Sequence, residues 1–277
     1  MASMTTETRG RTAGVIERAV IGVGALVALA GAAWGSGAFG GTPIEEAADG
    51  ALAADATLLA PASPAFGIWS VIYTGLVAFA VVQALPGPGS SPRVRAVGWH
   101  VLAAMVLNAA WIYVIQEDRL LWSVGVLVAI VVVLSHAVIR LSRSGPSVLE
   151  ALTVDLPIGL YLGWATVATV ANLTAVGVDW FELEPDAGMP AALGALAAAT
   201  MIGIAIARDL GPSPVLAWAT TAALAWGLAW IGYGRLEDRP DDAVVGWAAL
   251  AAAGLVMLAV VLTTVAAGWR GWRSGSN

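Results

Sequence analysis

Apolar residues recur along the chain in eight long runs, and polar stretches rich in glycine, proline and serine separate several of them. Each run is about 20 residues long, which is enough for a helix to cross the hydrocarbon core of a bilayer. The breaks carry turn-forming sequences, such as PGPGSSP after Leu85 and SRSGPS after Leu141. The pattern therefore predicts an all-α fold, a polytopic bundle of transmembrane helices. The eight predicted spans are residues 14–35, 64–85, 96–115, 120–142, 149–178, 190–208, 212–234 and 243–268.

Composition agrees with a membrane protein and excludes several kinds of chemistry. The 277 residues are 59% hydrophobic and 12% charged, whereas soluble domains are about a quarter charged. The chain contains no cysteine, which excludes disulfides and thiolate-ligated metal sites. It also contains no lysine, so a Schiff base with a side-chain amine is impossible. No basic patch is present to bind nucleic acid, and the expected partner is the lipid bilayer.

Arginine placement predicts the orientation of the spans, because positive charge accumulates in cytoplasmic loops. With the N-terminus in the cytoplasm, 10 of the 13 arginines fall on the cytoplasmic side and 3 outside. We therefore expect an integral protein of a bacterial plasma membrane with both termini in the cytoplasm. The first span has two interpretations: a retained helix, or a signal peptide cleaved near the small residues at 30–33.

Aromatic and carboxamide side chains from three spans fall at the same depth, in the outer half of the membrane. Trp69 and Tyr73 are four residues apart and so project from one helical face. Carboxamides in lipid need hydrogen-bond partners, which predicts that they point into the bundle. The group is consistent either with inter-helix packing or with an apolar ligand pocket that has a few polar groups. The six candidate ligand-binding residues are Trp69, Tyr73, Asn108, Trp111, Trp164 and Asn172.

A second polar group, His100, His136 and Asp155, is predicted at one depth in the cytoplasmic half. Asp155 could simply pair with Arg140 or a histidine, or the three could couple proton or ion movement to transport. Neither histidine has a neighbour at metal-ligand spacing, and no nucleophile or zinc-hydrolase motif occurs. The sequence therefore names no catalytic or metal-binding residue.

Gly159 and Gly163 form a GxxxG pattern in the fifth span. Small residues at this spacing allow close approach of two helices. They predict tight packing within the chain or a homodimer.

Three segments, PASPAFGIWSVIY, LNAAWIYV and LPIGLYLGWATVATVAN, resemble the second, third and fifth helices of the tryptophan-rich sensory proteins, or TspO family. The animal member of this family is the translocator protein, formerly the peripheral benzodiazepine receptor. The resemblance covers residues 14–178 and implies a five-helix unit over residues 1–178. Three additional helices, over residues 179–277, would pack on that unit and cover one flank, as in a longer subgroup. It also implies that the six candidates form a pocket roofed by loop 36–63.

Members of this family bind porphyrins and haem, and some bind sterols or benzodiazepine-type drugs. The resemblance implies a membrane receptor or sensory protein that binds a flat apolar ligand, with a tetrapyrrole as one candidate, rather than an enzyme. The alternatives are a transporter of a small hydrophobic or ionic solute and an enzyme that breaks down porphyrin in light. The chain departs from the family pattern in having Ala104 where a glutamine is usual. Its roof loop is acidic, and neither histidine is near enough to the pocket to ligate haem there.

Overall fold

The computed structural model describes residues 2–35, 42–209 and 213–274, and every regular element within them is helical. Eight helices are long and apolar enough to cross a membrane, which confirms the predicted fold class. Short 3-10 turns occupy Ala48–Gly50, Ser63–Gly67 and Pro88–Ser90. The long helices are α1 (Ala2–Gly35), α2 (Ile68–Ala84), α3 (Pro92–Gln116), α4 (Leu120–Leu141), α5 (Val148–Trp180), α6 (Met189–Asp209), α7 (Pro214–Glu237) and α8 (Ala243–Ser274).

Serine caps and prolines fix where several helices begin. The Ser91 side chain accepts a hydrogen bond from the Arg93 amide, and Pro92 occupies the first turn of α3. Ser147 and Glu150 form a capping box at the start of α5. Serine at the cap satisfies an amide that has no partner within the helix, and proline needs none in the first turn. Helix α3 therefore begins four residues before its predicted start at 96.

Helix α5 passes through Pro157 by way of a π-helical turn at Ala151–Asp155. Proline has no amide hydrogen to donate to the carbonyl four residues earlier, and its ring crowds that carbonyl. The Leu156 amide instead bonds to the Ala151 carbonyl, five residues back. The wider turn accommodates Pro157, so α5 remains one element of 33 residues.

Helices α5 and α7, the two most buried spans, pack closely against each other. A Cβ atom added to Gly163 would lie 2.2 Å from the carbonyl oxygen of Thr220, and one added to Gly159 would lie 2.8 Å from the Cβ of Ala219. From the other side, Gly227 lies against Val167 in the same way. The GxxxG pair is therefore used for packing inside the chain, and its glycines face α7 rather than a second copy.

The remaining helices surround this central pair. Helix α4 packs against both α3 and α5, and α1 packs on α3. Helix α2 reaches α5 where Gly75 lies against Pro157, because only a residue without a Cβ fits there. Helices α6 and α8 pack against each other and against α7.

A buried ion pair joins four helices at the end of the bundle where α3, α5 and α7 begin. Arg93 donates to Asp155 at 2.6 Å, and the side chains are 8% and 0% exposed. The other carboxylate oxygen of Asp155 accepts from Ser213, the cap of α7. Arg93 also donates to the carbonyls of Leu141, at 2.6 Å, and Ser144. One arginine therefore links α3 to α5 and to the end of α4, and Asp155 extends the network to α7.

We expect Gly163→Ala to lower the free energy of unfolding by about 1–3 kcal/mol, because the new methyl group overlaps the α7 backbone. Gly177→Ala in the same helix is the matched control, since no atom lies within 4 Å of its added Cβ. Denaturation of the purified protein by SDS in mixed micelles measures both. Equal stability of the two variants would contradict the glycine-dependent packing.

The ion pair predicts a second stability difference. Asp155→Asn keeps the shape but leaves Arg93 buried without a counter-charge, and we expect a loss of about 3 kcal/mol or more. The control is Glu17→Gln, which removes the partly exposed pair with Arg95 at 3.5 Å and should cost about 0–1 kcal/mol. A similar cost for both substitutions in the same unfolding assay would show that the buried pair contributes no more than a surface one.

Candidate functional site

A small cavity lies between α2, α3, α4 and α5 at the end of the bundle opposite the ion pair. Its volume is about 30 Å³, which is more than the roughly 10–15 Å³ that a cavity needs to hold one water molecule. Apolar and aromatic side chains form most of its wall, and the loop before α2 closes it. A drug-sized ligand would need several hundred cubic ångströms, so the cavity is closed in this conformation.

The structure brings the six predicted pocket residues together. Five of them line the cavity, and Tyr73 lines an adjoining pocket of about 230 Å³ whose wall also includes Trp69 and Trp111. Two further aromatic residues on the cavity wall, Phe66 and Tyr161, were missed by sequence reasoning. Tyr161 lies three residues before Trp164, and this helical spacing could have identified it. Phe66 precedes α2 in a 3-10 turn, where no helical spacing applies.

Trp69 is the centre of the aromatic wall. Its ring stacks on Tyr73 with centroids 5.1 Å apart and an angle of 19° between the planes. It meets Tyr161 at 5.8 Å and Trp164 at 6.3 Å, both edge to face. Phe66 packs on Trp164 in the same manner at 5.7 Å. Offset-stacked and edge-to-face pairs at these distances are favourable, so the wall is a connected aromatic cluster.

The polar side chains around the cavity bond to one another. Asn108 donates its amide to the Tyr73 hydroxyl at 3.0 Å. The Asn172 carbonyl oxygen accepts from the Trp111 indole at 3.3 Å and from Ser123 at 2.8 Å. Both asparagines are 3% exposed. Their side chains point into the bundle, because lipid offers them no hydrogen-bond partner.

Tyr161 donates its hydroxyl to the backbone carbonyl of Ala104, at 3.0 Å. Ala104 is the residue that stands where the resembled family usually has glutamine. Because both residues are almost fully buried, this bond satisfies a hydroxyl that has no access to water. It also ties α3 to α5 beside the cavity.

Trp164 differs from its neighbours, because its indole N–H is buried and has no hydrogen-bond partner. None of the described residues that line the cavity is charged. The site therefore combines a neutral aromatic wall with one unsatisfied hydrogen-bond donor. A buried donor without a partner costs free energy, which an acceptor on a bound molecule could recover.

Of the loop predicted as a roof over residues 36–63, residues 51–61 contribute to the cavity wall and residues 43–45 line the adjoining pocket. Residues 36–41 lie outside the described residues. We call residues 42–63 the lid. Leu52, Thr57 and Pro61 of the lid line the cavity. Leu58 and Leu59, also in the lid, are buried. The acidic residues Glu46, Asp49 and Asp55 are exposed, whereas Glu45 is half-buried and accepts from Ser63.

Helix α7 bonds to the lid backbone at several points. Arg235, which is 0% exposed, donates to the carbonyls of Thr57 and Ala54, both at 2.7 Å. The Ala62 amide donates to the carbonyl of Trp230 at 3.2 Å. Sequence reasoning placed Arg235 in an outer loop, because the seventh span was predicted to end at 234. Its burial depends on the lid folding over it, which no local pattern indicates.

The predicted polar group consists of His100, His136 and Asp155, and in the structure Asp155 does not bond to either histidine. The histidine rings lie 5.5 Å apart on α3 and α4, whereas Asp155 bonds to Arg93 and Ser213 rather than to Arg140 or a histidine. None of the three lines the cavity. Among the described residues, no group of three or more side chains is arranged to hold a metal ion.

Comparison with known proteins gives one match. The family model described as TSPO-like protein matches residues 20–262, from within α1 to within α8. No curated protein and no solved structure matches the chain. The matched region is most of the chain and includes α6 and α7, as well as the helices that carried the sequence resemblance. The chain therefore belongs to the family of TSPO-like proteins.

Proposed function

We propose that this integral membrane protein binds a neutral, flat, mainly apolar small molecule in the cavity beneath the lid. The observation that carries the proposal is the neutral aromatic wall with the unpartnered indole N–H of Trp164. Ligand sites are typically apolar with a few polar groups that fix orientation. A sterol-like molecule or a neutral tetrapyrrole has this chemistry.

The geometry around Trp69 supports such a ligand despite the small closed volume. Phe66, Trp69 and Trp111 line both the cavity and the adjoining pocket, so these three side chains separate the two spaces. Rotation of Trp69 or Phe66 would join the spaces into a flat site walled by aromatic rings. Lid movement would enlarge it further.

Charge favours a neutral ligand over an anionic porphyrin or haem. The cavity wall offers no cation among the described residues, and the lid above it carries Glu45, Glu46, Asp49 and Asp55. A carboxylate brought into this apolar site would lose its hydration without gaining a counter-charge. Neither histidine is close enough to serve as an axial ligand of haem iron there.

A matched pair of porphyrins tests the proposal. We expect protoporphyrin dimethyl ester to bind more tightly than protoporphyrin, because the two share a ring and differ in the two carboxylates. Trp69→Ala should weaken binding of the ester about tenfold or more through loss of aromatic contact. Trp164→Phe should weaken it about 2- to 12-fold, the effect of one neutral hydrogen bond. Absorption titration in nanodiscs, in the dark and corrected for empty nanodiscs, measures these affinities.

The control for general loss of tryptophan is Trp122→Phe, whose ring is 68% exposed on the outside of α4. It should bind the ester as the unaltered chain does. Saturable binding that is unchanged in both Trp69→Ala and Trp164→Phe would overturn the proposed site. Tighter binding of the free acid would overturn the proposed ligand charge.

We also propose that the lid end of the bundle faces outside and that both termini lie in the cytoplasm. The distribution of arginines supports this orientation, because only 3 of the 13 fall on the lid side. The lid and the α5–α6 loop contain no arginine. The ion-pair end of the bundle would then face the cytoplasm.

Because the chain has no cysteine, a single introduced cysteine can report which side a loop occupies. We expect Asp186→Cys, in the exposed α5–α6 loop, to react with a membrane-impermeant maleimide on intact cells. Gly145→Cys, in the exposed α4–α5 loop, should react only after permeabilisation. The reverse pattern would invert the orientation.

A further inference from the structure

We propose that α7 is the clamp of the lid, with Arg235 and Trp226 as positioning residues that control how readily the cavity opens. The consequence for ligand exchange rests on the proposed binding function, whereas the clamp itself can be tested without a ligand. It gives α7 a role beyond covering one flank of the other helices.

The first argument is the burial and bonding of Arg235. Its guanidinium is wholly buried and lies beyond ion-pair distance of every described carboxylate. Its bonds run to the backbone carbonyls of Thr57 and Ala54, at 2.7 Å, and of Arg239, at 3.3 Å. The planar guanidinium holds several acceptors in fixed directions, so it fixes the lid backbone at two points.

The hydrogen bonds from the lid offset the cost of burying this charge, and they are formed only when the lid is closed. A buried cation is stable only where acceptors and counter-charges surround it. The lid supplies two of the three carbonyls, and the carboxylates of Asp55, Asp238 and Asp242 are near enough to act on the guanidinium electrostatically. Lifting the lid would break both hydrogen bonds to the lid carbonyls and move the charge of Asp55 away from the guanidinium.

Two tryptophans extend the attachment to the start of α2. The indole of Trp226 donates to the Ala65 carbonyl at 2.9 Å, and the Trp230 carbonyl accepts from the Ala62 amide at 3.2 Å. The two indole rings also pack edge to face, 5.6 Å apart. One bond is just before the 3-10 turn Ser63–Gly67 and the other is within it, next to Phe66, which lines the cavity. The clamp therefore holds the lid and one side of the aromatic wall together.

The lid also bonds to the helices that form the cavity. Thr57 contacts the hydroxyl of Thr174 on α5 at 3.4 Å, and Gln116 on α3 donates to the Thr42 carbonyl at the far end of the lid. Between residues 54 and 65, the backbone groups bonded to α7 are those of Ala54, Thr57, Ala62 and Ala65. Opening therefore requires separation of the lid from α7. If a ligand binds only the open form, its apparent affinity is lower when a smaller fraction of the protein is open.

Hydrogen–deuterium exchange of the full chain in nanodiscs, without ligand, tests the clamp. The variants are Trp226→Phe, which removes one indole N–H, and Arg235→Gln, which removes the guanidinium. The matched control is Trp218→Phe on the same helix, whose indole donates to Thr264 of α8 at 3.1 Å and not to the lid. We expect exchange of lid amides 51–62 to rise about 2- to 12-fold in Trp226→Phe, the effect of one neutral hydrogen bond, and further in Arg235→Gln. The control should leave lid exchange unchanged.

Unchanged lid exchange in Trp226→Phe and Arg235→Gln would overturn the clamp. If Arg235→Gln also raises exchange throughout α7, the substitution has destabilised α7 itself. The lid exchange of Trp226→Phe then decides whether the clamp exists. The second measurement is the rate of binding and release of protoporphyrin dimethyl ester, both of which should rise in Trp226→Phe. A looser lid with unchanged ester rates would show that the ligand does not pass the lid. If the ester fails to bind even the unaltered chain, the proposed function fails, while the exchange result still decides the clamp.

Discussion

The contact on which the rest of this structure depends is the glycine-lined interface between α5 and α7. Gly159 and Gly163 let the α7 backbone approach so closely that no side chain fits between the helices. The opposite face of α5 carries Tyr161 and Trp164 toward the cavity. Because α5 is fixed on one side by α7, its other side can present aromatic rings in a fixed arrangement. The same approach brings the end of α7 over the lid, where Arg235 meets the lid carbonyls.

The bilayer imposes the second constraint, since it supplies no hydrogen-bond partners to polar groups inside it. The buried polar side chains accordingly pair with one another: Asn108 with Tyr73, Asn172 with Trp111 and Ser123. At the other end, Asp155 forms an ion pair with Arg93. Against this background the unpartnered N–H of Trp164 is an exception, and it lies at the cavity. A neutral site with one free donor favours a neutral ligand with an acceptor.

Several features were predictable from particular residues. The eight spans were identified to within a few residues, because long apolar runs are separated by turn-forming sequences such as PGPGSSP and SRSGPS. Trp69, Asn108 and Trp164 were placed at one depth because span order and helical rise fix depth. Tyr161 and Phe66 escaped notice, the first among many apolar neighbours and the second outside any helical period. The burial of Arg235 was not predicted, because hydropathy assigns a charged residue at the end of a span to the adjoining loop.

The sequence by itself determined the eight membrane helices and the shared depth of their aromatic and carboxamide residues. These properties follow from local requirements: a bilayer fixes the length of each span, and backbone groups must bond within the helix. Only the tertiary structure decided which helix faces which. Gly159 and Gly163 could have served another helix or another copy, and Asp155 could have bonded to a histidine. Those choices depend on contacts between residues far apart in the chain, as between Arg235 and Thr57. They are settled only when all helices pack at once and each buried polar group must find its partner.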